Sequence, residues 1–398
     1  MNPYLQKLYD IAQKPVRHIV GLMSGTSLDG LDVALCALRG AGPNTQVELL
    51  KFSTLPYDAA LKAEIRQIFA KREIDFQHLC LLNPKIGILH GQMINACLEE
   101  WGISAAEVDL VASHGQTVYH APKTQHGLAE YGNTTLQIGD GDHVANTTGI
   151  ITLADFRMRH IAAGGEGAPL AVYGDYFVLG KAGEDRILLN MGGISNFTYL
   201  PGDLDASKVF TTDTGPGNTL LDAITRQFYP NLDYDEDGKI ALSGQINAAL
   251  LEALKNHPFF DAPFPKTTGP EVFNLKYLQA AQEKTQTQHL GAPDLLRTLV
   301  QFSADTIVAG IKRAIGIQPF AFYLSGGGAH NPALIGAIRA QFPGASFQST
   351  DVLGVPGDAK EAVLFAILAN EAVAGGFTSF GGRHKVPSVV MGKICWPG

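Results

Sequence analysis

His18-Ile19-Val20-Gly21-Leu22-Met23-Ser24-Gly25-Thr26-Ser27-Leu28-Asp29-Gly30-Leu31-Asp32-Val33-Ala34-Leu35-Cys36-Ala37-Leu38 holds two apolar runs, 18–23 and 31–38, split by a turn of glycines, hydroxyls and carboxylates. Apolar runs of this length bounded by turn residues read as buried strands, and the short polar link makes them a hairpin. Residues 47–52 add a third strand, so the chain opens antiparallel. The turn also carries chemistry. Backbone N–H groups and hydroxyls there can cradle phosphate oxygens, and a carboxylate can act through Mg²⁺. Gly, Ser and Asp equally dominate ordinary turns, so this stretch alone leaves both readings open.

Working outward, helical periodicity covers 58–70 and 81–100, and a strand at 108–113 ends in the polar turn His114-Gly115-Gln116-Thr117. A second strand series, 187–191, 197–200 and 209–212, repeats the opening pattern. Its turn Asn190-Met191-Gly192-Gly193-Ile194-Ser195-Asn196 resembles the first in composition. Two such hairpins point to duplicated domains that face one ligand. A helix over 293–315, with Leu295, Leu299, Phe302, Ile307 and Ile311 near one face, leads into a strand at 320–324. Ser325-Gly326-Gly327-Gly328 then breaks that strand. The last strong helix spans 358–374, with Asp358 placed to cap its first turn and Gly375-Gly376 to end it. Strands alternating with helices make this an α/β protein.

The 398 residues allow two or three domains, and 45% hydrophobic against 17% charged residues, with 44 Gly and 21 Pro, describe a compact chain rich in tight turns. Lys+Arg 30 against Asp+Glu 38 gives a net charge of −8. No global positive field exists to hold a phosphate polymer or an anionic membrane, so neither nucleic acid nor membrane is an expected partner. No apolar run is long enough to span a bilayer and the first 17 residues lack a signal-peptide core, which points to the cytoplasm. Cys36, Cys80, Cys97 and Cys395 have neither metal-ligand nor redox spacing and read as buried free thiols.

Further motifs carry chemistry. Neither hairpin matches the P-loop pattern, which excludes a Walker-type nucleotide site. Asp213-Thr214-Gly215-Pro216-Gly217-Asn218 follows a strand and precedes a helix at 219–228. A carboxylate there can serve as a general base or position a metal, and the helix dipole helps hold an anion; Asn218 as a simple helix cap is the plainer alternative. Ser325-Gly326-Gly327-Gly328-Ala329-His330-Asn331 lets a ligand approach the backbone closely, though a glycine run is also a bland turn. Asp155-Phe156-Arg157 and Gly164-Gly165-Glu166-Gly167 gather carboxylates and a planar donor that match paired sugar hydroxyls, or simply solvated loop charges. His114 and His120, six apart, lack the spacing of a helical metal pair. Asp233-Tyr234-Asp235-Glu236-Asp237-Gly238 begins like a calcium loop, but position twelve would be Gly244 where a bidentate Glu is required.

Together these motifs resemble the anhydro-N-acetylmuramic acid kinases of the sugar kinase/Hsp70/actin superfamily, over nearly the whole chain. The resemblance runs through the 21–30 segment, Ser113 to Thr117, Ala154 to Arg157, Gly164 to Leu170, Asn190 to Asn196, Asp213 to Asn218, Pro265-Lys266-Thr267-Thr268-Gly269 and Ser325 to Asn331. It implies a two-domain actin-like (ribonuclease H-like) α/β fold with a central interdomain cleft, divided as 1–150 and 151–398, the extreme C-terminus packing back on the first domain. It also implies a cytoplasmic kinase of peptidoglycan recycling that uses ATP and Mg²⁺. A 1,6-anhydro sugar is opened by water and phosphorylated on O6, giving N-acetylmuramic acid 6-phosphate and ADP.

Carried over by matching motif, Asp213 is the base that activates water. Gly25, Thr26, Ser27, Leu28, Asp29, Gly30, Leu31 and Asp32 hold ATP phosphates, while Asn190, Gly192, Gly193, Asn196, Gly215, Gly217, Asn218, Gly326, Gly327, Gly328 and Asn331 hold the rest of the nucleotide. Asp29 and Glu361 lie near the metal, Glu361 also near the nucleotide. His114, Gln116, Thr117, Asp155, Arg157 and Glu166 face the sugar. The chain departs from the usual family pattern at His160, where Asp is common, at Glu166, where Gln is common, and at Pro270, where Arg is common. These changes alter charge near the expected sugar pocket and leave Asp213 in place. Levoglucosan kinases share the motifs, so a kinase for another anhydrosugar is the alternative; an actin- or Hsp70-like ATPase switch is a third reading. A homodimer is compatible with the sequence, which leaves the oligomeric state open.

Overall fold

The computed structural model describes residues 1–353, 357–381 and 386–398. The chain divides into two compact units, Met1–Gly180 with Leu353–Gly398, and Lys181–Val352. In the first, the opening segment forms β1 (Arg17–Ser24), β2 (Gly30–Arg39) and β3 (Gln46–Pro56), which pair antiparallel in sequence order. Two more strands, β4 (Leu110–Ala121) and β6 (Thr152–Ala154), extend the sheet parallel to β1, and β5 (Thr134–Ile138) pairs antiparallel with the far half of β4.

Strand alternation sorts β1 between two layers. Val20 and Leu22 join a core with Ile86 and Ile94 of the helix Phe76–Trp101 and Val144 of the helix Gly141–Thr148. Gly21 points the other way, where a Cβ would meet the Ala362 carbonyl oxygen at 1.9 Å. Only glycine lets the helix Lys360–Val373 lie this close to the sheet. That helix is buried from Ala362 to Glu371, as its nearly continuous apolar sequence requires.

The second unit repeats the plan. Strands β7 (Arg186–Met191), β8 (Ile194–Leu200) and β9 (Phe210–Pro216) are antiparallel, while β10 (Ala321–Ser325) and β11 (Ser346–Ser349) add parallel beyond β7. The order β11-β10-β7-β8-β9 matches β6-β4-β1-β2-β3 position for position and sense for sense. The duplicated start expected from the two hairpins is therefore a duplicated sheet. Its core is built on the helix Ala292–Ile315, whose Phe302, Leu299 and Ile307 pack with Phe273 and Phe322.

Several local expectations change. The division at residue 150 falls inside the first unit, because β6 and the helices Phe156–Ala162 and Ala171–Leu179 follow it in that unit. The extreme C-terminus, which the resemblance places on the first domain, lies in the first unit, where β12 (Lys393–Cys395) pairs antiparallel with β6. His114 to Thr117 is not a turn: β4 runs through it, with β5 pairing from Gln116 onward, and Gly115, at φ 75°, lies where the β1–β4 register shifts. Asp358 lies in the 3-10 turn Gly357–Ala359, and Ala359 occupies the helix cap position without a side-chain hydrogen bond. Cys80 is exposed and Cys395 half-buried, whereas Cys36 and Cys97 are buried; all four are free. Among the described residues no helix is long and apolar enough to cross a membrane.

Candidate functional site

In the first unit the β1–β2 turn is braced from beneath. Ser24 Oγ lies 2.5 Å from Gln116 Oε1, to which it donates, and 2.8 Å from the Tyr57 hydroxyl, itself 2.7 Å from His90 Nε2. Gln116 Nε2 donates to the carbonyls of Gly25, at 2.9 Å, and Thr117, at 3.0 Å. Parallel pairing of β1 with β4 sets Ser24 opposite Gln116 and creates this brace. Gln116 was expected to meet the sugar; fully buried, it spends both amide hydrogens on the protein instead. His90 is fully buried and pushed down to about 4 by burial, so it stays neutral here at physiological pH.

Above the brace, Thr26, Ser27 and Asp29 are exposed, Gly25 and Gly30 are half-buried, and Leu28 and Leu31 anchor the turn in the core. Gly30 is required where β2 begins, since a Cβ would meet the Leu55 carbonyl oxygen at 2.2 Å. Gly25 is different: the nearest atoms to a Cβ there are 3.9 Å away, so its surroundings are open. Burial raises the Asp32 carboxyl above the usual range against a 2.6 Å hydrogen bond from Thr54, and Asp358 and Asp29 add to the rise. This is an acidic region that a cation would relieve.

The sugar motifs divide. Arg157 Nε donates to His114 Nε2 at 2.7 Å and its Nη1 to the Gly167 carbonyl at 2.8 Å. The acceptor role requires a neutral His114, consistent with burial, reinforced by Arg157, pushing this histidine down to about 3. His160 is a scaffold for the glycine loop: its Nδ1 accepts from Gly167 N at 3.0 Å, and its ring fills the space a Gly165 side chain would occupy. Glu166 is half-buried in the same loop and acts electrostatically on exposed His120. Thr117 accepts from Gln137 Nε2 at 3.1 Å. Asp155, at φ 58°, turns aside to Lys393 of β12 at 2.7 Å.

In the second unit three glycine turns pack backbone on backbone. Gly217 and Asn218 donate their N–H groups to the carbonyls of Gly193 and Gly192, both at 2.8 Å, and Asn218 Nδ2 donates to Met191 O at 3.1 Å. Gly326 lies over Asn190 and Met191, and Gly328 over Met191 and Asn218. Asn218 thus ties two turns together rather than capping its helix, for which it makes no side-chain cap bond. Asn196 is half-buried on β8, opposite Asp213. Asn331 caps the helix Pro332–Arg339 through its side chain. Beside these turns is a cavity of about 500 Å³ lined by Asn218, Leu221, Tyr234, Asp237, Gly327 and Asn331 among others. Tyr234 to Asp237, part of the stretch that begins like a calcium loop, form a wall of this cavity. An aromatic residue, Tyr234, within an acidic stretch is the signal the sequence offers.

Asp213 lies within β9, half-buried, with its N–H donating to the Lys266 carbonyl at 3.0 Å and its Oδ2 accepting from Thr268 N at 2.8 Å. The Thr268 hydroxyl is buried with no hydrogen-bond partner among the described residues. The Thr268 N–H fixes the Asp213 carboxylate in position, as a general base requires.

Among the described residues no group of three or more His, Cys, Asp or Glu is spaced to hold a metal ion. Glu361 is exposed in the first turn of its helix and acts electrostatically on Arg157; Asp29 acts on Asp32. Sparse carboxylates fit Mg²⁺ that arrives with a nucleotide, since that ion takes one or two carboxylates plus phosphate and water.

The family model for anhydro-N-acetylmuramic acid kinase matches residues 17–383. A protein named anhydro-N-acetylmuramic acid kinase from Pseudoalteromonas atlantica is 54% identical, covering 100% of both chains. Another of that name, from Caldanaerobacter subterraneus subsp. tengcongensis, is 36% identical over 98% of this chain and 100% of its own. Among solved structures, an activator of 2-hydroxyisocaproyl-CoA dehydratase from Clostridium difficile with bound ADPNP aligns over 89% of this chain and 95% of its own, at 11% identity and TM-score 0.39.

Proposed function

The chain belongs to the anhydro-N-acetylmuramic acid kinase family, and from that premise we propose that it opens the 1,6-anhydro ring of 1,6-anhydro-N-acetylmuramic acid with water and phosphorylates O6 from ATP. The observation that carries the chemistry is Asp213, a carboxylate oriented by Thr268 N–H in a frame of glycine turns. Asp213 takes a proton from water as the water oxygen attacks the anomeric carbon. The bond from that carbon to the bridge oxygen breaks, and the oxygen leaves as O6. O6 then attacks the γ-phosphorus and ADP departs. Because the leaving oxygen is also the phosphoryl acceptor, one base serves both events, and ring strain assists the first.

The remaining roles are carried over from the matching motifs, and geometry and charge support them. The turn from Gly25 to Asp32 holds phosphate oxygens with N–H groups and hydroxyls, and Gln116 positions that turn. The glycine turns at 192–193, 215–218 and 326–328 carry the rest of the nucleotide, with the cavity at Tyr234 and Leu221 taking the base. Asp29 and Glu361 would hold Mg²⁺ that arrives with ATP, and the ion would supply charge neutralisation at the phosphates. Arg157, aimed by His114 and Gly167, and Glu166 meet the sugar.

Reaction in ¹⁸O-labelled water tests the chemistry directly. One label enters O1 of the sugar, none enters the phosphoryl group, and reducing sugar appears in step with ADP. Phosphorylation of an intact anhydro ring without label would overturn the mechanism. The phosphate turn has its own test in Gly25→Val. Open space lets the variant fold, so its thermal midpoint stays near the parent's while Mg-ATP affinity falls at least tenfold as the side chain blocks close approach. Unchanged affinity by calorimetry would make the turn merely structural.

A further inference from the structure

In the second unit the Lys266 ammonium is engaged by carbonyls and aromatic rings of its own chain. Its Nζ donates to the carbonyls of Phe259, at 2.8 Å, and Phe260, at 3.1 Å, in the short helical turn Pro258–Asp261. The same atom stands 4.3 Å from the Phe259 ring centroid, 4.9 Å from Phe264 and 5.9 Å from Phe260. Carbonyls at the end of a helical turn carry partial negative charge, and ring faces attract cations. The ammonium is therefore pinned by carbonyls and ring faces together.

The backbone of the same residue holds Asp213. Lys266 O accepts from Asp213 N at 3.0 Å and from Thr212 Oγ1 at 3.2 Å, and Thr212 Oγ1 accepts from Lys266 N at 3.0 Å. Two residues on, Thr268 N meets Asp213 Oδ2 at 2.8 Å. The segment 266–268 thus grips both the main chain and the carboxylate of Asp213, and the Lys266 ammonium is what fastens that segment to the aromatic cluster. We propose that Lys266 is a positioning residue for the Asp213 carboxylate, acting through the Thr268 N–H. The proposal rests on reading Asp213 as the base.

The anchor is sensitive to charge. Burial pushes the Lys266 amine down to about 8; Arg313, from the helix Ala292–Ile315, adds to the fall, and Asp261 opposes it. Arg313 donates to the Phe260, Asp261 and Ala262 carbonyls, so two cations serve one carbonyl cluster. As pH rises through 8 the ammonium loses its proton, the charge-assisted bonds and cation–ring attraction weaken, and Asp213 loses its fixed orientation. Turnover then falls on an alkaline limb.

The test compares Lys266→Met and Lys266→Arg in the full chain with anhydrosugar and Mg-ATP. Because misplacement by about 1 Å can cost about a hundredfold in rate, Lys266→Met should lose roughly 10- to 100-fold in kcat, with sugar KM and Mg-ATP affinity within about threefold. Lys266→Arg should recover most of the rate and move the alkaline limb upward, since a guanidinium stays charged. A folded Lys266→Met enzyme with kcat within twofold of the parent would overturn the proposal. So would an alkaline limb unmoved in Lys266→Arg, which decides the matter even if the Met variant fails to fold. The base reading fails separately, if Asp213→Asn keeps near-normal turnover.

Discussion

Asp213→Asn should lower turnover by roughly two to four orders of magnitude, the usual contribution of a general base. Asn keeps an oxygen that can accept the Thr268 N–H, so the local frame at β9 survives while basicity is lost. Mg-ATP affinity should stay within about threefold, because the glycine turns proposed to carry the nucleotide are fastened to one another by their own backbone bonds. Steady-state kinetics together with calorimetry read both quantities. Near-normal turnover in a folded variant would remove Asp213 from the role of base, and the ¹⁸O experiment would then show whether water still reaches the anomeric carbon.

The second large effect belongs to Gly326. Its backbone sits at φ 78° and ψ 165°, a region open essentially to glycine alone. A Cβ there would meet Asn190 Oδ1 and both the carbon and the oxygen of the Met191 carbonyl at 2.7 Å. Two of those three atoms are backbone and cannot swing away, so Gly326→Ala must pry the 326–328 turn off the β7–β8 turn. Mg-ATP affinity should fall at least tenfold, with a stability loss of about 1–3 kcal/mol from the strained backbone. Gly327→Ala is the control, since its Cβ would meet only Asn218 Nδ2, at 3.4 Å. Thermal unfolding and calorimetry on the pair separate strain from blocked approach. If Gly326→Ala bound Mg-ATP as tightly as the parent, the stacked turns would have no part in holding the nucleotide.

The contrast between Gly25 and Gly326 shows what a motif conveys. Both stand in glycine-rich turns after a strand, and the sequence treats them alike. In the structure one borders open space and the other is wedged against a neighbouring turn, so the first can be substituted without strain and the second cannot. Likewise His160 departs from the usual family residue, and sequence alone places that change near a sugar. Its Nδ1 bond to Gly167 N shows that it supports the loop whose carbonyl aims Arg157.

The two hairpins, the strand series after each and the long helix Ala292–Ile315 were legible in the sequence because their signals are local. Apolar runs, periodicity and turn glycines all act within a few residues, and burial of continuous apolar runs leaves few alternatives to a sheet covered on both faces. The duplicated strand order could be suspected from the repeated hairpin for the same reason. The partners of the polar side chains were decided by tertiary structure. Ser24 meets Gln116 across 92 residues because β1 and β4 pair in one register, and a shift by one residue would turn Gln116 to the opposite face. Thr268 reaches Asp213 across 55 residues, and Lys393 reaches Asp155 across 238, through chain packing that no local pattern encodes. A hydrogen bond depends on distance and angle to a few tenths of an ångström, whereas composition and periodicity specify only which face of an element is buried.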